Sequence, residues 1–557
     1  MGEYIIYNAR IWTADIDREW ADALWVCNDK ILAVGKYEDI TQNASAHVKR
    51  IDMHNQFVMP SFVDCHVHIT TVARSSWQLI LDKDKYVCLD DMLAALGEYS
   101  QNHSVEEIPY IYATPCPQKW MEHANKTMLD KYVSDRPVLL CDEGFHSCLL
   151  NSKMLELLEI DENTPYDPTT GMNYERDENN VPTGIVYEHR YEVDLPKMYK
   201  KIKWCPPDQS NPAVIGPILE KFNDYGITAV LDGFTEGEET FEGLKKIEKQ
   251  GRLHMYYRGN SLFKKLSDLT EAIQKVKEWN QKYKDDYIQT RCIKLFLDGT
   301  NELGTAALLE PFINAPDNYG VLNMEESDLT KAMLMINEAG LDLQIHLVGD
   351  RAFRTAVNAY ANAKKELSEQ NKEFTGIVTL LHCELTKPED RKRAAELGIS
   401  INITPHWNGG IFGDAALDIV GKDRFDTFYS FTDFIKYGAP LSCSSDIVGI
   451  EEVDRANPFV AMKIAATRHD DMSRFDERQP ASEKLPVRAM MLGFTIEGAK
   501  CMQMENEIGS LSQGKKANFC ILNKNVFDIP VEELDTVETK TVVFEGHPIK
   551  GDLRDNR

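Results

Sequence analysis

The sequence predicts an α/β protein: a (β/α)8 barrel, a small β-sandwich domain built from both chain ends, and an inserted α/β subdomain. Three observations carry this. Eight short apolar runs alternate with helix-compatible segments through the middle of the chain. Both ends read as short strands, and a long stretch from about residue 75 to 215 separates the first apolar run from the second. At 557 residues the chain exceeds one small core and suits a large catalytic domain with a satellite, since single cores stop growing near ~250–300 residues.

The first stretch alternates apolar and polar residues over 4–12, 23–27 and 31–34, punctuated by Asn28-Asp29 and Gly35, which are strand and hairpin signals. The tail repeats the style in Gly509-Ser510-Leu511, 517–522 and Val542-Val543-Phe544-Glu545-Gly546. The two ends are therefore expected to pair into one sandwich domain, residues 1–58 with 490–557, around a barrel domain at 59–489. Its strand candidates are 58–69, 227–231, 254–257, 293–297, 341–347, 377–381, 399–403 and 440–443, with helix-compatible segments such as 351–365 and 388–397 between them. The stretch 75–215 has its own apolar run, Pro137-Val138-Leu139-Leu140, and is too long for a loop, so it reads as an inserted subdomain. No internal repeat or low-complexity tract interrupts the pattern.

A composition of 43% hydrophobic and 27% charged residues is that of an ordered globular protein. The net charge of -27 argues against nucleic acid and anionic lipid as partners, both of which need a basic surface. The first residues lack the basic and apolar regions of a signal peptide. Gly2 is followed by Ile6 where a myristoylation motif wants Ser or Thr. No apolar run approaches the ~20 residues of a membrane span. Twelve dispersed cysteines without a C-x-x-C pair read as reduced, which points to the cytoplasm.

His66-Val67-His68 closes an apolar run, and residues i and i+2 on a strand point to one side, so both imidazoles can reach one metal ion. Alone the pair is weak evidence. Lys294, His346, His382 and Asp446 strengthen it, because each sits in or just after a separate strand candidate, and barrel catalytic residues come from the C-terminal ends of several strands. Lys294, His346 and His382 also sit in apolar runs, where an unpaired charge is costly.

In this order, on strands one, four, five, six and eight, the set resembles the metal-dependent amidohydrolase superfamily. Ile293-Lys294-x-Phe296-x-Asp298-Gly299, His346-x-x-Gly349-Asp350-x-Ala352 and Ser445-Asp446 followed by Asn457-Pro458-Phe459 resemble its amidohydrolase family 3 branch, near the N-substituted formamide deformylases. So do Arg136-Pro137-Val138, His146, Asn151-Ser152, Gly184-x-x-x-Glu188 and Glu507-Ile508-Gly509-Ser510-Leu511-x-x-Gly514-Lys515. Asn518, where the family's tail usually has Asp, and Cys383-Glu384 after the strand-six histidine are departures. The resemblance implies two divalent metal ions, with His66, His68 and Asp446 on one, His346 and His382 on the other, and a carboxylated Lys294 bridging both. Imidazole and carboxylate donors suit zinc best, with manganese or iron as alternatives. The implied reaction is cleavage of a linear amide in a small-molecule substrate by metal-activated hydroxide, with Asp446 as the catalytic acid–base.

Cyclic amide or imide hydrolysis uses the same ligands. A deaminase of the superfamily usually lacks the strand-four lysine and carries a glutamate near the strand-five histidine, and His346-Leu347-Val348-Gly349 has none. A non-catalytic scaffold would have lost ligands, and none is missing. Gly-x-Gly-x-x-Gly, a phosphate loop and Gly-x-Ser-x-Gly are all absent. Trp120, His406 and Trp407 are candidates for lining the substrate pocket, and self-association is left open.

Overall fold

The computed structural model describes residues 2–553 apart from 76–78, 83–84, 143, 145, 166–171, 189 and 206–207. Eight parallel strands form one sheet in chain order: β1 (Phe62–Val67), β2 (Ile227–Asp232), β3 (Tyr256–Leu262), β4 (Ile288–Phe296), β5 (Asp342–Leu347), β6 (Val378–His382), β7 (Ser400–Ile403) and β8 (Leu441–Cys443). Parallel strands covered by helices are buried on both faces, which is why they read as near-continuous apolar runs; β1, β2, β5, β6 and β7 are buried at every residue. Polar links bring the sheet's two edges together into a nearly closed barrel. Asp446 N–H donates to the His66 carbonyl at 2.9 Å, and His68 N–H to the Ile447 carbonyl at 3.1 Å. The helices follow their strands, as in Asp350–Glu369 after β5 and Pro388–Leu397 after β6. The latter starts on a proline and ends at Gly398, whose φ of 71° is the left-handed turn that closes a helix.

Strand limits differ from expectation in three places. The run 58–69 holds two strands, Phe57–Pro60 and β1, because the chain leaves one sheet for another at Ser61. β4 begins five residues early, at Ile288, through a polar stretch that hid it. β3 continues to Leu262 through Arg258-Gly259-Asn260-Ser261, a polar and glycine stretch that is buried within the strand.

The two ends meet in a sheet where Phe519–Leu522 pairs antiparallel with Phe57–Pro60. A second, four-stranded sheet from the N-terminal stretch shares a core with it, including Tyr4, Ile6, Val26, Val58, Phe519 and Val543. The inserted subdomain forms a separate compact unit, Arg74–Asp208 with Leu303–Thr305, around a mixed six-stranded sheet. Here the all-reduced expectation is corrected: Cys141 and Cys148 lie opposite each other on antiparallel strands, Cα atoms 4.1 Å apart, and are joined as a disulfide. A spacing of seven residues does not reveal which positions a hairpin register will oppose.

Candidate metal centre

Six side chains named from the sequence lie at the C-terminal ends of barrel strands, all in one compact unit. Asp446 is their hub. Its Oδ1 lies 3.3 Å from His66 Nε2 and 3.3 Å from His68 Nε2, and its Oδ2 lies 3.4 Å from His382 Nδ1. Donor atoms of His66, His382 and Asp446 all fall within 4.8 Å of one another. Lys294 Nζ is 3.4 Å from His66 Nε2 and packs over the Phe296 ring. His346 sits edge-on to His382 with ring centres 4.7 Å apart, and its Nε2 lies 3.3 Å from the Gly299 carbonyl.

The electrostatics of this cluster are unusual. Burial holds His66 well below the ordinary imidazole range, helped by the charges of Lys294, His68 and His382, so the ring is neutral. Its tautomer follows from Gln344, whose Nε2 donates to the Cys65 carbonyl at 3.0 Å and whose Oε1 therefore faces His66 Nδ1 at 3.3 Å. The proton is on Nδ1, and Nε2 presents a lone pair towards the Asp446 carboxylate. Asp446 Oδ1 is buried and accepts no hydrogen bond. A buried carboxylate oxygen facing an imidazole lone pair is unfavourable unless a cation stands between them. Burial also lowers Lys294 to about 7, with Asp446 opposing the shift.

The backbone is strained at the same place. His382, Cys383 and Asp446 take φ of 68°, 48° and 49°, the left-handed region that costs side-chain-bearing residues free energy and persists where surroundings enforce it. Gly233, just past β2, is sterically required: a Cβ there would lie 2.8 Å from His66 Cε1 and 2.8 Å from His68 Nε2. Asp298 accepts from the Val348, Gly349 and Ala307 amides and so ties the loops after β4 and β5 behind His346. Asn457 caps the helix Pro458–Thr467. These two motif residues hold the architecture together.

His406 is fully buried, with its Nε2 2.6 Å from the Ser445 carbonyl, so it braces the loop that carries Asp446. Burial, then Arg455, pushes it down to about 3. Trp407 stacks on His382 at 4.9 Å and on Phe412 at 5.5 Å, a three-ring pile that fixes the orientation of His382. Trp120 belongs to the inserted unit and packs against that unit's own core. Gln344 and Gly233 were missed by sequence reading. Gln344 had a signal, since it lies two residues before His346 and so shares its strand face.

The amidohydrolase family model matches residues 49–549. The protein YtcJ of Bacillus subtilis is 25% identical over 550 residues, covering 96% of this chain and 97% of its own length. The N-substituted formamide deformylase of Arthrobacter pascens is 22% identical over 573 residues, covering 98% of both. In the crystal structure of an uncharacterized metal-dependent hydrolase from Pyrococcus horikoshii, the same fold covers 98% of this chain and all of that one, with a TM-score of 0.71 and 22% identity.

Proposed function

The chain belongs to the amidohydrolase family, and on that premise we propose that this enzyme hydrolyses the carbon–nitrogen bond of a small linear amide, an N-substituted formamide or a near relative. The observation that carries the reading is the convergence on Asp446, a buried unpaired carboxylate oxygen 3.3 Å from two imidazole nitrogens. The donor set fits divalent metal, with neutral imidazoles and carboxylate oxygens favouring zinc and accommodating manganese or iron. His66, His68 and Asp446 would hold one ion and His346 and His382 a second. Such ions supply Lewis acidity and lower the pKa of water towards ~7.

The chain's own residues do the rest. Asp446 takes a proton from the attacking water and delivers it to the leaving nitrogen, a role that needs a carboxylate at the reacting centre. Gln344 keeps the His66 proton on Nδ1, away from the metal side. Lys294 as an ammonium has no lone pair to offer. Fully buried and lowered to about 7, it has a neutral-amine fraction that can add carbon dioxide, forming an Nζ–carbon bond with loss of a proton. The resulting carbamate would add an anionic ligand to the imidazoles and Asp446 that hold the metal. The formamide preference is supported by the full-length similarity to the Arthrobacter enzyme.

Metal content and turnover of Lys294→Ala and Lys294→Arg, with and without short-chain carboxylic acids, test this. Wild type should carry two ions per chain, Lys294→Ala should bind both more weakly and regain part of its activity with added acid, and Lys294→Arg should stay inactive. An active Lys294→Arg with unchanged metal content would overturn that ligand role.

A further inference from the structure

The one-turn helix Pro405–Trp407 follows β7 directly, at the end of the barrel where the candidate ligands lie. Three bonds fix it. The Trp407 amide donates to the Thr404 carbonyl at 3.0 Å, His406 Nε2 meets the Ser445 carbonyl at 2.6 Å, and Asn408 accepts from the buried Arg468 guanidinium at 2.7 Å. The indole itself is gripped on both faces, by His382 at 4.9 Å with planes 16° apart and by Phe412 at 5.5 Å with planes 24° apart. Phe412 is held in turn by His406, edge-on at 5.1 Å, and by Arg455 over its ring at 5.5 Å. The position and plane of the indole are therefore set before any substrate arrives.

The faces of the ring are used and its polar edge is not. Trp407 Nε1 is buried and finds no hydrogen-bond acceptor among the described residues. Buried indole N–H groups usually find one, and an exception calls for a reason. Packing does not supply it, because a phenylalanine could stack between His382 and Phe412 without burying a donor at all. The donor belongs to the ring that covers His382, and His382 Nδ1 is 3.4 Å from Asp446 Oδ2, so the indole flanks the reacting centre.

We propose that Trp407 is a catalytic hydrogen-bond donor, its Nε1–H bonding the carbonyl oxygen of the amide. An indole N–H donates and cannot accept, so it serves neither a metal ion nor a protonated amine. A small linear amide carries one good acceptor, the carbonyl oxygen, since resonance draws the nitrogen lone pair into the C–N bond. As water adds to the carbonyl carbon, the C=O π pair moves onto that oxygen, and a donor already in place bonds it more strongly as the charge develops. A ring fixed by stacking on both faces needs no reorganisation to do so. The role rests on the amide-hydrolase reading and adds to it the group that meets the acyl oxygen.

The test compares the zinc-loaded full chain with Trp407→Phe and with Trp407→3-benzothienylalanine, in which sulfur takes the place of the N–H and the bicyclic ring is kept. With N-benzylformamide, both variants should lose about 10²-fold in kcat while metal content is retained and KM stays within about threefold, the pattern of a contact made mainly in the transition state. With N-benzylthioformamide, whose sulfur is a weak acceptor, the loss should be about tenfold or less. Formate binding, which needs no turnover, should be about tenfold tighter in wild type than in either variant by calorimetry, the gain of a charge-assisted bond, and should perturb the near-ultraviolet indole spectrum only where Trp407 is present. The benzothienyl variant keeps the test decisive if Trp407→Phe loses metal or fails to fold. A kcat within about threefold of wild type in a folded, metal-loaded variant, equal losses on the two substrates, or an unchanged formate affinity would overturn the donor. If formate binding depends on Trp407 but N-benzylformamide is not cleaved, the donor stands and the formamide reading falls. If wild type and variants cleave it alike, the reverse applies.

Discussion

Replacing Gln344 separates the orientation of a metal ligand from simple packing. Its amide makes two contacts, accepting from His66 Nδ1 at 3.3 Å and donating to the Cys65 carbonyl at 3.0 Å. Gln344→Leu keeps the volume and removes both. Losing the partner that orients a histidine ligand lowers metal affinity by roughly 10–100-fold. At 3.3 Å the contact is long for an N–H···O bond, which places the expectation at the lower end, about tenfold, or ~1.4 kcal/mol. The orphaned Cys65 carbonyl should cost a further ~1–3 kcal/mol of fold stability, which does not enter the metal equilibrium. Gln344→Glu keeps an oxygen against Nδ1 and should hold zinc affinity within about threefold of wild type. Metal-stripped proteins titrated with zinc against a chromophoric chelator give the affinities, and melting curves of the stripped proteins give the stability cost. If Gln344→Leu binds zinc as tightly as wild type, or Gln344→Glu falls as far as Gln344→Leu, the acceptor does not orient His66.

Gly233→Ala inserts a methyl 2.8 Å from both His66 Cε1 and His68 Nε2; the overpacking should cost ~1–3 kcal/mol and weaken zinc binding in the same chelator titration, and an unaltered affinity would show that the rings yield freely. Asp446→Asn should lower kcat by ~10³-fold or more at matched metal occupancy, the upper part of the range for a general acid–base, and a variant keeping about a tenth of the turnover contradicts the role. His406 is held near 3 by burial, below its ordinary 6.5. Its folded value lies below the unfolded one, so its contribution is present above pH 6.5 and is lost as pH falls from there towards 3. At pH 5 the loss should be about 2 kcal/mol, and His406→Gln should flatten the melting-temperature slope of metal-free protein between pH 6.5 and 5; an unchanged slope would refute the assignment.

The barrel was legible because β2 and β6 are largely apolar runs and β5, β7 and β8 are short strands built on Leu and Ile, spaced by helix-compatible segments, and their order alone places the ends that carry His346, His382 and Asp446. The limits of β3 and β4 were not, since Arg258, Asn260 and Thr290 are buried polar residues within strands and look like turns to a hydropathy pattern. The candidate ligands stood out in the sequence because imidazoles and a lysine in apolar runs break the expected composition, and His66, His382 and Asp446 among them come close enough to hold one ion. Their support did not, with the exception of Gln344. The need for Gly233 depends on the imidazoles of His66 and His68, far away in sequence.

The polar layer below the metal centre ties these observations together. Barrel interiors are filled by layers of apolar side chains, yet Asp64 and Gln344, each two residues before a candidate ligand on its own strand, place polar groups one layer deeper. Asp64 Oδ1 accepts from the Ser445 and His66 amides, and burial raises its carboxyl to about 7. Alongside, Asn402 donates to Ser442 and accepts from Ser444. Apolar residues would fill this space at lower cost, since buried polar groups must all be satisfied. They could not accept the His66 Nδ1 proton, nor hold the amide of Ser445 that sets Asp446 in its left-handed turn. The departure from apolar packing therefore falls where the ligands must be oriented, and the position of this layer follows from the metal centre above it.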